Sequence, residues 1–126
     1  MPQSQQEIYD LIRAAVLEKR PIAAFYDGFE RLFCPHVLGR NKEGRLQVLC
    51  YQFGGKSTRG LEPVGSAANW RCIALAKLES VKGVEGAWRT SANHSSTQTC
   101  IEWIEFDAED PSKNGTRRSA AKAAAQ

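Results

Sequence analysis

Three short runs of β-branched, aromatic and cysteine residues, set apart by turn-forming glycines, constrain this chain more than anything else in it. They are Arg31-Leu-Phe-Cys-Pro-His-Val-Leu38, Leu46-Gln-Val-Leu-Cys-Tyr-Gln-Phe53 and Trp70-Arg-Cys-Ile-Ala-Leu75. Each is bounded by Gly, Asn or Pro, the pattern of short antiparallel strands. Ile22–Tyr26 precedes them as a further strand and runs into Asp27-Gly28, a dipeptide suited to a tight hairpin turn. Lys77–Val81 adds a short turn or strand after the last run. Five short strands at this spacing fit a small antiparallel barrel better than a sandwich.

The N-terminal segment has a different period. Ser4-Gln-Gln-Glu7 is a capping box, in which hydroxyl and carboxylate each satisfy a free backbone N–H. Apolar residues then recur at Ile8, Leu11, Ile12, Ala15 and Val16, and Pro21 stops the pattern. The spacing predicts a helix over residues 4–19 that buries its stripe against one open end of the barrel, itself spanning residues 22–89. Pro35 inside the second run implies an edge strand or a bulge. Residues 54–69 read as a long loop. Cys100–Phe106 is a strand or a helix, with its Ile, Trp and Phe favouring strand. Residues 107–126 mix acids, bases, Ser, Gly and Ala without an apolar stripe and are expected to form a flexible tail on a single domain of residues 1–106.

The order of these pieces resembles a known module. Ile22-Ala-Ala-Phe-Tyr26 is followed by Arg31-x-x-x-Pro35, Leu38-Gly39, and Gly44-Arg45 opening an apolar strand through Tyr51. Arg71-x-Ile73-x-Leu75-x-Lys77-Leu78 then leads to Val81. This order resembles the WYL domain, an SH3-like (Sm-like) β-barrel module found mostly in bacterial transcription regulators, over residues 8–88. The likeness is a divergent one. Leu46-Gln47-Val48 stands where the name-giving Trp-Tyr-Leu would follow Gly44-Arg45, and Ala76-Lys77 stands where the family carries Asp-Arg. The resemblance implies a mainly β fold with an N-terminal helix, an antiparallel barrel of about five strands, and a ligand-sensing role. It also implies that Arg71, which opens its strand, belongs to a positively charged face contacting ligand or nucleic acid. Family members usually follow a DNA-binding helix-turn-helix, and the single helix here is too short to be one.

Composition fits one modest globular domain. The chain has 126 residues, of which 42% are hydrophobic and 25% charged, so a core can form without staples. No apolar run reaches the ~20 residues needed to span a bilayer, and residues 1–6 lack the layout of a secretory signal. A cytoplasmic protein is expected. Cys34, Cys50, Cys72 and Cys100 are then read as reduced, buried small hydrophobes. Zinc is the alternative reading, with His36 and His94 assisting, but no Cys-x-x-Cys pair exists, and no metal or cofactor is expected.

Charge is uneven. Residues 31–89 carry ten basic against four acidic residues, whereas acids outnumber bases in both flanking segments. Such an excess favours anionic partners, although a solvated basic surface has the same composition. The glycines of Gly54-Gly-Lys-Ser-Thr-Arg-Gly60 would let backbone N–H groups face an anion, with Lys56, Ser57 and Arg59 adding donors. The same glycines would also serve a plain strand connection. Gly55-Lys56-Ser57 is not a nucleotide-hydrolase phosphate loop, because Cys50 stands where that pattern needs glycine. Arg31 could supply a phosphate contact, and Tyr51 and Tyr26 could stack on a base or pack in the core. Arg71 could instead pair with Glu62 or Glu79. Cys34 and His36 invite a catalytic dyad, but nothing supplies its third group, so no catalytic residue is expected. The reading that follows is a non-enzymatic module binding a nucleotide, nucleic acid or other anion through a basic face. The alternative is a structural or assembly module that forms homo-oligomers edge to edge through Leu46–Phe53 or Cys100–Phe106.

Overall fold

The structure, a computed structural model, describes residues 3–55, 69–88 and 100–117. Helix α1 (Gln5–Glu18) starts where the capping box places it. The Glu7 N–H donates to Ser4 Oγ, and the Ser4 N–H donates back to Glu7 Oε1, both at 3.1 Å. Lys19 ends the helix in the left-handed region (φ 54°), donating its N–H to Ala15 O. The buried stripe is Ile8, Ile12, Ala15 and Val16.

Strands β1 (Ile22–Tyr26), β2 (Phe29–Arg40), β3 (Leu46–Gly55), β4 (Trp70–Ala74) and β5 (Glu79–Gly83) form an antiparallel sheet in the order β4-β3-β2-β1-β5. The Asp27-Gly28 turn has positive φ at both residues (53° and 79°), which suits a two-residue hairpin with right-twisted strands. β6 (Trp103–Asp107) pairs with the C-terminal half of β2, beyond the reach of β1, and β7 (Thr116–Arg117) pairs with β6. The fold is therefore mainly β with one N-terminal helix and an open antiparallel sheet.

That sheet is curled. Its end strands β4 and β5 would lie roughly 19 Å apart across a flat sheet at ~4.8 Å per strand. Only Leu75–Leu78 joins them, mostly as a 3-10 turn (Leu75–Lys77) that rises ~2.0 Å per residue. So short a link requires the two ends to swing toward each other.

Two cores result, one on each face. The inner core gathers the helical stripe with Phe33, Leu38, Val48, Cys50, Ile73 and Leu75. The outer core gathers Val37, Leu49, Tyr51 and Trp70 under Ile101 and Ile104. β2 is a central strand, and Pro35 is accommodated because the ladder to β3 shifts register between Pro35 and Val37. The chain crosses Gly39 so closely that a Cβ there would lie 2.0 Å from Trp103 O and 2.7 Å from Ile101 Cγ2.

Three expectations change. Cys72 and Cys100 are not thiols but a disulfide across 28 positions, tying β4 to the segment that lies over the outer core. Cys34 and Cys50 are free and buried, and burial pushes the Cys50 thiol up, aided by Cys34. Residues 108–117, expected in a flexible tail, instead form a 3-10 turn (Pro111–Lys113) and β7. Local polar bonds replace the missing apolar stripe there. Asp107 Oδ1 accepts from the Glu109 and Asp110 N–H groups, and Asn114 Oδ1 accepts from the Asp107 N–H. Finally, Leu46–Phe53 offers no edge for oligomer formation, since β3 is laddered to both β2 and β4. Among the described residues no helix is long and apolar enough to cross a membrane.

Candidate functional site

The six residues singled out from the sequence fall into four settings. Tyr51 is fully buried in the outer core, its ring edge-on to Trp70 at 5.2 Å, so it presents no face to a ligand. Arg71 stands opposite Cys50, on the face of Ile73, and is only 8% exposed. Its Nη1 donates to Trp70 O at 3.2 Å. Strand alternation thus places Tyr51 and Arg71 on opposite faces of the sheet, and they cannot frame one cleft. Lys56, Ser57 and Arg59 lie outside the described residues.

Arg31 is the remaining member, and its setting is distinctive. It pairs with Ala24 on β1 and with Gly55 on β3. The residue is 3% exposed. Its Nε donates to Tyr26 O at 3.2 Å, and its guanidinium carbon sits 4.8 Å from the Tyr26 ring centroid and 6.0 Å from that of Phe29. Burial lowers the Arg31 pKa, opposed by Tyr26 and Asp27. Among the described residues no carboxylate is ion-paired with it. The Tyr26 ring thus packs on an arginine of its own hairpin.

Register also sets Arg31 opposite Gly55 at the end of β3. Gly55 has φ +78°, and a Cβ there would meet Glu30 O at 2.2 Å, so only glycine fits at this point. In sequence, Lys56, Ser57 and Arg59 follow this glycine. Arg71 shares the inner face, but its partner Cys50 is five residues back along β3, roughly 15 Å away at strand rise. Arg31 and Arg71 do not converge.

A second polar constellation escaped the sequence reading. His36 is fully buried, with its ring 4.8 Å from Trp70 and 4.5 Å from Trp88. Its Nδ1 lies 3.6 Å from Glu109 Oε1, which also accepts from Trp88 Nε1 at 3.4 Å. The signal available in the sequence was the bulge at Pro35, which releases His36 from strict alternation. No linear spacing foretells Glu109, brought in when the Ala108 N–H donates to His36 O.

No family model, no curated protein and no solved structure matches this chain.

Proposed function

We propose that this protein is a non-enzymatic binding module that takes an anionic group, as in a nucleotide or a nucleic acid, at Arg31 and the loop beginning at Lys56. One observation carries the reading: a shielded guanidinium, propped on Tyr26 and Phe29 and without an ion-paired carboxylate among the described residues, stands opposite Gly55, the residue before Lys56. A cation in such surroundings attracts an anion more strongly than one in open water does. The arginine's planar fork suits phosphate in particular. The WYL-like, SH3-like barrel reading draws support from the short link that pulls β4 and β5 together, which is what closure requires. Arg71, buried on the same inner face but opposite Cys50, five residues back along β3 from Gly55, takes no part in it.

Fluorescence anisotropy with a labelled oligothymidylate, across a salt series, tests the proposal. Arg31→Met is expected to weaken binding about tenfold, and joint replacement of Lys56 and Arg59 by Ala to flatten the salt slope by ~0.7 per lost phosphate contact. The Met side chain fills similar volume, so stability in urea should be unchanged or raised. Full affinity in Arg31→Met, or a wild-type protein indifferent to polyanions, overturns the reading.

A further inference from the structure

The outer edge of β5 already carries a substitute for a neighbouring strand. The Val81 N–H donates to Gln3 Oε1 at 2.7 Å, and Gln3 Nε2 donates to Val81 O at 2.8 Å. A primary carboxamide offers the donor and acceptor of a peptide group, and here it meets a strand residue 78 positions away as a strand partner would. We infer that this edge is a strand-addition site for an extended segment of a partner protein, and that Gln3 holds the place of that segment's first peptide group.

Three features fit that occupant. Among the described residues β5 ends the strand order and is laddered to β1 alone. Lys82 pairs inward with Ala23, and the Val84 N–H donates inward to Pro21 O, so alternation turns the backbone of Val81 and of exposed Gly83 outward. Beside this edge a cavity of about 570 Å³ opens between α1 and β5, with Ile8, Leu78 and Val81 at its floor and Glu79 and Lys82 along the strand. Its size suits side chains of a bound peptide. The apolar floor selects an aliphatic anchor, while backbone bonds supply register, as in other strand additions.

A second copy of the chain is the poorer fit. Ser80 has φ 51°, which kinks β5 and leaves only Val81 and Gly83 facing out in sequence. A symmetric ladder that short buries too little to hold two whole chains together, whereas a peptide also places side chains in the adjoining cavity. Gln3 precedes the N-cap Ser4, so it can leave without unwinding α1. The inference does not depend on anion binding at Arg31, which lies on another part of the sheet.

The test is a nuclear magnetic resonance titration of the full chain with a capped hexapeptide of alternating threonine and leucine. Shifts are expected at residues 79–83 and at Ile8. In Gln3→Ala the Val81 amide should exchange faster without peptide and regain protection with it, and peptide affinity should rise about 3- to 10-fold because the internal competitor is gone. Absence of β5 shifts in both proteins overturns the inference, as does an affinity unmoved by Gln3→Ala. Shifts that track protein concentration alone would assign the edge to self-association instead.

Discussion

Tyr9 links the helix to the C-terminal segment through one proton. Its hydroxyl donates to Glu105 Oε1 at 2.7 Å, and Glu105 Oε2 in turn accepts from Arg40 Nε at 3.2 Å. Burial, then the bond to Glu105 and its charge, push the Tyr9 pKa up from 10.0 to about 12. The unfolded chain therefore releases this proton first. The stabilisation is whole below about pH 10 and is lost as pH rises toward 12. Because the pair is partly exposed, the loss should be about 1–2 kcal/mol rather than the full shift. Tyr9→Phe is expected to cost about 1 kcal/mol at neutral pH and to flatten the alkaline decline. Urea melts at about pH 8 and about pH 11, with ultraviolet titration of tyrosinate, check both. An alkaline decline that persists in Tyr9→Phe would place its origin elsewhere. Arg31 shows the opposite economy of contacts. Rings and a carbonyl hold it, Asp27 acts on it through charge, and among the described residues no carboxylate is ion-paired with it.

At the scale of elements, what was legible is what local chemistry decides. The capping box set the start of α1, Asp27-Gly28 set the first hairpin, and β-rich runs bounded by glycine set β1 to β4. What depends on distant partners was not legible. Whether Cys100–Phe106 is strand or helix turns on a close approach to Gly39, and the order in residues 108–117 turns on Asp107 and Asn114. The candidate site divided for a related reason. Residue type marked Arg71, Arg31 and Tyr51 alike, but pleat parity sends Tyr51 outward and the arginines pair with β3 positions five residues apart. The cysteines illustrate the point best. Cys34, Cys50 and Cys72 lie in similar runs, and only the fold of the C-terminal segment gives Cys72 a partner. The disulfide overturns the reading of four thiols that had been drawn from the cytoplasmic expectation. Replacing Cys72 and Cys100 together by Ser should cost about 2–4 kcal/mol, and reductant should have a similar effect on the wild type and none on the variant. Alkylation in denaturant without reductant should modify two of the four cysteines. Modification of all four would show the bridge absent.

At the scale of the molecule, one curled sheet serves two cores, and this has a consequence for how the protein unfolds. Ile12 on α1 is fully buried in the inner core, and Ile104 on β6 is 6% exposed in the outer one. No side chain belongs to both clusters, yet β2, β3 and β4 supply residues to each: Phe33 and Leu38 inward with Val37 outward, Val48 and Cys50 inward with Leu49 and Tyr51 outward, Ile73 inward with Trp70 outward. When these strands disorder to melt one core, they expose the other face of the same backbone as well. Ile12→Ala should therefore cost about 3–4 kcal/mol and Ile104→Ala about 2–3 kcal/mol, the former with the larger cavity. Because the sites share no contacts, the double variant should lose the sum within about 0.5 kcal/mol. All three variants should unfold in a single transition by calorimetry and by circular dichroism. Native-state exchange discriminates further, since Ile104→Ala should speed exchange of the Ile12 amide as much as it lowers global stability. Retention of slow exchange in α1, or a second calorimetric peak, would mean that the C-terminal layer melts by itself and that the sheet does not couple its two faces.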